Sequence, residues 1–285
     1  MLARTPLEAK SRLASNLSLT APAVTLMTVV CMAPIVVLFA LSFVEGGQFT
    51  IQHYARIFGS PVYLSIFGTT IGLSIGVTVL AVIFGYPLCY FIYCLPRQYR
   101  GIAIILVSLP LWTSILVRTY AWLIILQRKG VINSLLTKAG LIDQPLPLVF
   151  NFTGAMIGMF HIVLPLFILP VYSSMVKLDR SLLMAASSLG ASRTYTFWKV
   201  FLPLTYPGVS AGALLVFIYA LGFYITPQVL GGGRVVTVSM KVAENTTMYS
   251  EWGASSALGL LLLVFTGAVI GSLAFLARRM GKGYA

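Results

Sequence analysis

Side chains able to do chemistry are sparse in this sequence and gather in three places. Glu244, Asn245, Tyr249, Glu251 and Trp252 stand close together. Carboxylates interleaved with aromatic rings suit amines, through charge pairing and cation–π contact. The same set also suits contact with a protein partner or an ordinary solvated loop, with the partner contact favoured. A second set, Arg118, His161, Tyr172, Tyr219, Tyr224 and Thr226, sits within or at the ends of apolar runs. Such hydroxyls and rings can line a wet path through lipid, although tyrosines also form interfacial belts. Arg118 reads as a charge shaping that path or as one that snorkels or pairs with carbonyls, the structural role fitting better. His161 divides the same way, a hydrogen-bonded packing histidine ahead of a ligand or proton carrier. The third place is Lys177 to Gly208, KLDRSLLMAASSLGASRTYTFWKVFLPLTYPG, which carries a mechanical pattern rather than a catalytic one.

No G-x-x-x-x-G-K-[ST] occurs, so the chain has no loop of its own for cradling ATP phosphates. It also lacks H-E-x-x-H and C-x-x-C. No catalytic constellation, metal site or cofactor site is expected. Cys31, Cys89 and Cys94 lie in or at the end of apolar runs and read as small packing residues.

The elements that position these residues must live in lipid. The 285 residues are 59% hydrophobic and 9% charged, with mean hydropathy +0.95. A soluble domain carries about a quarter charged residues, so a chain this apolar cannot clothe a water-facing surface. The net charge of +13 sits in short clusters between apolar runs, a membrane-topology pattern that excludes nucleic acid as partner.

Six runs are long enough to cross about 30 Å of hydrocarbon. They fall near 22–44, 64–94, 101–126, 149–175, 205–228 and 255–277, and none holds Asp or Glu. Pro87, Pro110, Pro165 and Pro170 predict irregular helix within them. The first run exceeds a signal-peptide core and has no clear cleavage site after it, so it reads as a retained helix following a segment of about 1–20.

Orientation follows the Lys and Arg count. With the N-terminus inside, twelve fall on the cytoplasmic side: Arg4, Lys10, Arg12, Arg97, Arg100, Lys177, Arg180, Arg193, Lys199, Arg278, Arg279 and Lys282. Six fall outside: Arg56, Arg128, Lys129, Lys138, Arg234 and Lys241. Both termini are therefore expected in the cytoplasm. Gly68, Gly72 and Gly76, then Gly154 and Gly158, Gly208 and Gly212, and Gly267 and Gly271 give small faces at four-residue spacing. Such faces let helix backbones approach closely in lipid, although glycine is simply common in membrane helices too.

The 177–203 segment is cytoplasmic by that count yet is no loose loop. Leu182, Leu183, Ala186 and Leu189, then Phe197, Val200 and Phe201, have helix-like apolar spacing. Asp179 or Ser181 can cap the start, and Gly190 interrupts where a bend or positive φ is cheap. The pattern is helix, glycine turn, helix, leading to Pro203. A partner that moves such a helix must move the fourth and fifth spans; the competing reading is an amphipathic helix that only caps the bundle.

These residues carry a resemblance. Met184-Ala185-Ala186, then Leu189, Gly190, Ala191 and Ser192, followed by Phe197, Val200, Leu202 and Pro203, resemble the "EAA" loop of ABC-importer permeases of the binding-protein-dependent type. Met184 stands where that family usually has Glu. LVRTYAWLIILQRKGVINSLL at Leu116–Leu136, TPQVLGGG at Thr226–Gly233 and EWGASSALG from Glu251 look like the spermidine/putrescine-type permease subfamily, over about Leu64 to Arg279.

The resemblance implies an all-α polytopic fold of one transmembrane domain, 1–285, in the bacterial inner membrane. It has six transmembrane helices and a coupling-helix loop between helices 4 and 5. It implies a second homologous permease subunit, two ATP-binding subunits holding ATP and Mg, and a periplasmic or surface-tethered substrate-binding protein. The solute expected is a polyamine or related amine; an opine, an amino-acid derivative, an aminophosphonate or ferric iron are the alternatives. An ion-coupled secondary transporter is the distant rival, disfavoured by spans without carboxylates.

Overall fold

Hydrocarbon offers the backbone no hydrogen-bond partner, so each apolar run satisfies its own N–H and C=O groups as helix. The computed structural model describes residues 6–281, with side chains described for 20–273 and 275. Arg4 and Lys282, and the side chains of Lys10, Arg12, Arg278 and Arg279, lie outside the described residues. In chain order the helices are α1 (Pro6–Leu41), α2 (Gln52–Gly59), α3 (Pro61–Cys94), α4 (Arg97–Ser108), α5 (Ile115–Leu126), α6 (Val131–Lys138), α7 (Phe152–Val176), α8 (Arg180–Ser188), α9 (Arg193–Thr196), α10 (Leu202–Leu221), α11 (Ile225–Leu230), α12 (Val238–Thr247) and α13 (Trp252–Gly281). A two-stranded antiparallel hairpin pairs Val44–Glu45 with Gln48–Phe49.

Among the described residues five helices are long and apolar enough to cross a membrane: α1, α3, α7, the continuous Arg193–Leu221 rod and α13. The third expected span, 101–126, is not one helix. A helix over Arg97–Trp112 meets Ile115–Lys138 at 98°, so the total reaches six only if this bent pair counts as one span. Pro110 lies in a 3-10 turn, Leu109–Trp112, and Thr113 and Ser114 are extended. The Thr113 N–H and hydroxyl both donate to the Pro110 carbonyl, at 3.1 and 2.9 Å, closing the corner. Hydropathy runs unbroken across this corner and so conceals it.

The fifth expected span is also displaced. Its helix runs from Arg193, through a π-type turn at Phe197–Phe201, and stops at Leu221. Tyr224 and Thr226 therefore lie beyond it, Thr226 in the separate helix α11. By contrast α7 starts one turn inside its expected boundary, where the Asn151 side chain accepts from the Gly154 N–H at 2.8 Å. Helices α3 and α7 continue through Pro87 and through Pro165 and Pro170.

The core is α7 held between α3 and α10. Within its most apolar window α7 is 56% buried, against 0% for α1, which stands out in lipid and meets the chain along α13. Leu73, Val77, Ala81, Cys89, Phe167, Ile168, Val171 and Val216 form one fully buried cluster. Of the three cysteines only Cys89 packs there; Cys31 and Cys94 are exposed. At the far end of the bundle Ile57, Ile66, Val238, Ala257 and Leu258 make a second cluster. There the Thr70 hydroxyl accepts the Val238 N–H at 2.9 Å, tying α12 to α3.

Since leaving lipid for protein gains apolar groups almost nothing, close approach carries the association. At Gly208 a Cβ would collide with the Ser174 Cβ and lie 3.1 Å from the Pro170 carbonyl oxygen. At Gly212 it would lie 3.0 Å from the Phe167 carbonyl oxygen. At Gly68, Gly267 and Gly271 there is open space within 4 Å, so at those three positions glycine is not filling a contact with the described residues. Gly208→Ala is expected to cost roughly 1–3 kcal/mol by overpacking, outweighing alanine's better helix propensity. Gly267→Ala should be neutral or slightly stabilising. Thermal unfolding of the two variants in detergent checks this, and equal melting temperatures would refute the close-contact account.

Candidate functional site

The 177–203 segment folds as helix, turn and helix. The Asp179 carboxylate accepts from the Ser181 N–H at 2.9 Å and caps α8. Gly190 closes the helix at φ +80°, a left-handed conformation that suits glycine. The Ser192 hydroxyl then accepts the Tyr195 N–H at 3.2 Å and caps α9. An N–H bond to a carboxylate favours its ionised form, so the Asp179 pKa is lowered below the ordinary 3.8.

The faces of α8 divide differently from the sequence periodicity. Leu183 and Ala186 turn toward the bundle, but Leu182, Met184 and Leu189 are exposed, Leu189 by 88%. Ala185, Gly190 and Ser192 are exposed with them, while Ala191 is half-buried. Helix α8 thus leaves Leu182 and Met184, and its C-cap Leu189, uncovered by the rest of the chain.

What ties this segment to the bundle is an aromatic cluster that the sequence reading missed. Tyr86, Tyr90 and Tyr93 near the end of α3 face Phe197 and Phe201 of the π-type turn. The Tyr90 ring lies 5.0 Å from Phe197 and 5.3 Å from Phe201, both edge-on. Tyr93 lies 5.3 Å from Phe201. Tyr86 and Thr205 hydroxyls meet at 3.0 Å. Four- and three-residue spacing on α3 was a visible signal, but only the fold shows that the two sets oppose each other. Leu183 and Ala191 join these rings around a cavity of about 250 Å³. Pro203 is exposed in the first turn of α10.

Where α10 ends and α11 begins, Tyr219 and Tyr224 line an open cavity of about 530 Å³ with Ile115, Ile218, Phe223 and Ile225. Thr226 does not reach it. It is fully buried, its hydroxyl 3.1 Å from that of Thr119, and so joins α11 to α5. Tyr172 packs half-buried against the core. Arg118 lacks the carbonyl partners its structural reading called for: its Nε and Nη1 are buried without an acceptor among the described residues. His161 sets its ring 5.5 Å from Trp122, and its Nδ1 has no partner.

The acidic–aromatic set is largely satisfied from within. Glu244 pairs with Lys241 at 3.1 Å, and the same ammonium lies 5.7 Å from the Tyr249 ring centroid. The amine these groups hold is thus the chain's own. Asn245 is buried, its main-chain carbonyl accepting the Glu251 N–H at 2.9 Å while its side-chain Nδ2 has no partner among the described residues, and Glu251 and Trp252 are exposed. Gly72-Leu73-Ser74-Ile75-Gly76 and Gly208-Val209-Ser210-Ala211-Gly212 both spell G-x-S-x-G, a spacing the expectation of no catalytic constellation passed over. Both runs lie inside helices, α3 and α10, rather than at a strand-to-helix elbow, and the Ser74 and Ser210 hydroxyls donate to the Thr70 and Pro207 carbonyls at 2.8 and 3.0 Å. No metal-ligating cluster of His, Cys, Asp or Glu occurs among the described residues.

A helical bundle with five helices long and apolar enough to cross a membrane, among the described residues, defines a polytopic membrane protein. The chain belongs to the family of binding-protein-dependent transport system inner membrane components, whose sequence model matches residues 83–282. It is 33% identical over 222 residues to the spermidine/putrescine transport system permease protein PotB of Salmonella typhimurium strain LT2, covering 78% of this chain and 77% of that one. The Escherichia coli K12 protein of the same description is 32% identical over 78% of this chain and 80% of its own. Among solved structures, a bacterial ABC transporter involved in importing the acidic polysaccharide alginate superposes with a TM-score of 0.74. That match covers 94% of this chain and 99% of the other at 16% identity, which speaks for the fold alone.

The cap makes a measurable claim about the 177–203 segment. Asp179→Ala should speed amide exchange over residues 181–184, whereas Asp179→Asn, which still accepts the Ser181 N–H, should change it little. Because the folded pKa is lowered, the ionised cap's contribution is full above 3.8 and fades as pH falls through the lowered value. Exchange corrected for its intrinsic pH dependence should rise there in the wild type but not in the asparagine variant. Equal protection in all three proteins would refute the cap.

Proposed function

We propose that this chain is one membrane-spanning subunit of an ATP-driven importer for a polyamine or related small amine, with both termini in the cytoplasm. The carrying observation is the capped, glycine-terminated helix α8, joined through the Gly190 turn to the Arg193–Leu221 rod, whose Phe197 and Phe201 pack on the α3 tyrosines. A partner pressing on α8 thereby presses on α3 and α10 together. The spermidine/putrescine permeases it resembles over more than three quarters of its length support the solute class. So does an exterior set of Glu244, Glu251, Tyr249 and Trp252, although Lys241 already occupies Glu244. In this reading a second homologous permease completes the path, and a binding protein delivers solute to the outer loops. Two ATPase subunits, holding ATP and Mg, close against Met184, Ala185, Leu189 and Gly190. ATP drives the change only by binding the two bundle states with different free energy.

The exposed surface around Gly190 gives a clean test. Nothing lies within 4 Å of a Cβ placed there, and Asp tolerates the left-handed region better than most residues. Gly190→Asp therefore leaves the chain folded and inserted but puts a charge into the contact. Uptake of radiolabelled spermidine by cells carrying it should fall at least tenfold, with normal protein levels in the membrane. Met184→Glu should be tolerated. Affinity purification of the wild type in mild detergent should bring down a Walker-motif ATPase and a second permease. Full ATP-coupled uptake by Gly190→Asp would refute the docking role. A lone chain whose transport collapses with the ion gradient, and not with ATP depletion, would establish the secondary-transporter reading instead.

A further inference from the structure

Three arginines from two helices meet around one ring at the end of the bundle where α8 begins. Tyr93, Arg97, Arg100, Val176 and Arg180 enclose a cavity of about 500 Å³. The Arg100 and Arg180 guanidinium carbons lie 5.4 and 6.0 Å from the Tyr93 ring centroid. Arg100 Nε donates to the Leu95 carbonyl at 2.8 Å, which fixes its guanidinium in place. No carboxylate lines the cavity, and the nearest in sequence, that of Asp179, is engaged at the Ser181 N–H. Among the described residues the Asp/Glu ion pair formed is that of Lys241 with Glu244, remote from this place in the chain. Like charges gathered without an acid raise one another's energy, so the cavity is built for an anion from outside the chain.

We propose that Arg97, Arg100 and Arg180, gathered around Tyr93, bind the phosphate of an anionic phospholipid. The position selects a lipid over a soluble anion. The cavity lies where α3 ends at Cys94 and α7 at Val176, the depth of the headgroups if these helices span the bilayer. Just past the arginines α4 exposes Ile102, Ile105 and Leu106, a surface for acyl chains beside a site for the headgroup. Basic pockets between helices on the cytoplasmic side are where anionic headgroups bind. The site is also separate from the surface around Gly190, which lies at the opposite end of α8, roughly 13 Å along its axis. Arg180 is the first residue of α8, so a headgroup held there pins the first turn of α8 to α3 and α4. Tyr93 forms a wall of both this cavity and the one beneath α8, so the lipid bears on the same aromatic cluster that transmits movement. Only that consequence rests on the importer reading; binding itself is a property of this chain.

The test is native mass spectrometry of the purified full chain, released from detergent in the presence of phosphatidylglycerol or phosphatidylcholine. The wild type should retain phosphatidylglycerol selectively, and millimolar inorganic phosphate should not displace it. Arg97→Gln with Arg180→Gln should weaken retention roughly thirtyfold, about what two surface cations contribute toward an anionic headgroup. Arg97→Lys with Arg180→Lys keeps the charge and should stay within a few-fold of wild type. Undiminished retention by the glutamine variant would overturn the proposal. So would displacement by inorganic phosphate, which assigns the arginines to a soluble anion, or equal retention of phosphatidylcholine. These readings need no ATPase or transport, so they fail or succeed independently of the importer assignment. If the importer assignment holds as well, ATP-driven uptake in phosphatidylcholine vesicles should rise several-fold on adding phosphatidylglycerol, and only for the wild type and lysine variants.

Discussion

The structure depends on how closely α7 can approach α3 and α10 in a solvent that gives apolar side chains no reason to leave it. Lipid tails solvate Leu and Val as well as a protein core does, so association has to come from contact distance and from hydrogen bonds that lipid cannot supply. Glycine at 208 and 212 brings α10 against the α7 backbone, and the Tyr86–Thr205 hydroxyl pair adds a bond between α3 and α10. With α7 fixed in this way, Asn151 caps its N-terminal end, and three residues separate its C-terminal end from α8.

That arrangement also sets how the 177–203 segment is tied to the bundle. Helix α8 has few contacts of its own with the spans; it is held through α9 and the π-type turn, whose Phe197 and Phe201 sit among Tyr86, Tyr90 and Tyr93. Phe197 and Phe201, four residues apart, share one face of the Arg193–Leu221 rod and so meet one set of rings. Interlocked rings resist sliding more than aliphatic contacts of equal area, because edge-on geometry is directional.

The bent pair at Pro110 serves the other half of the site. By turning through 98° it lets α5 approach α11, and the Thr119–Thr226 bond fixes that contact. Ile115 at the start of α5 thereby becomes a wall of the cavity that Tyr219 and Tyr224 line. The Thr113 N–H and hydroxyl close that corner on the Pro110 carbonyl. A straight third span would leave Ile115 elsewhere.

Hydropathy and charge alone determined that the chain lives in lipid, where α3, α7 and α13 run to within a few residues, and that residues 177–203 are helix, glycine turn and helix. These are local properties: a run of apolar residues has to be helix in hydrocarbon, and caps such as Asp179 and turns such as Gly190 act on their own neighbours. Tertiary structure decided the rest. Which of the paired glycines meet a neighbour, that Thr226 faces Thr119 rather than a path, that Lys241 occupies Glu244, and that three arginines converge on Tyr93 all depend on which helix lies opposite. Hydropathy averages over a window and so is blind to direction. A corner at Pro110, or the side of a helix on which Leu189 emerges, is set by backbone angles and by the neighbour's shape, neither of which a one-dimensional pattern carries.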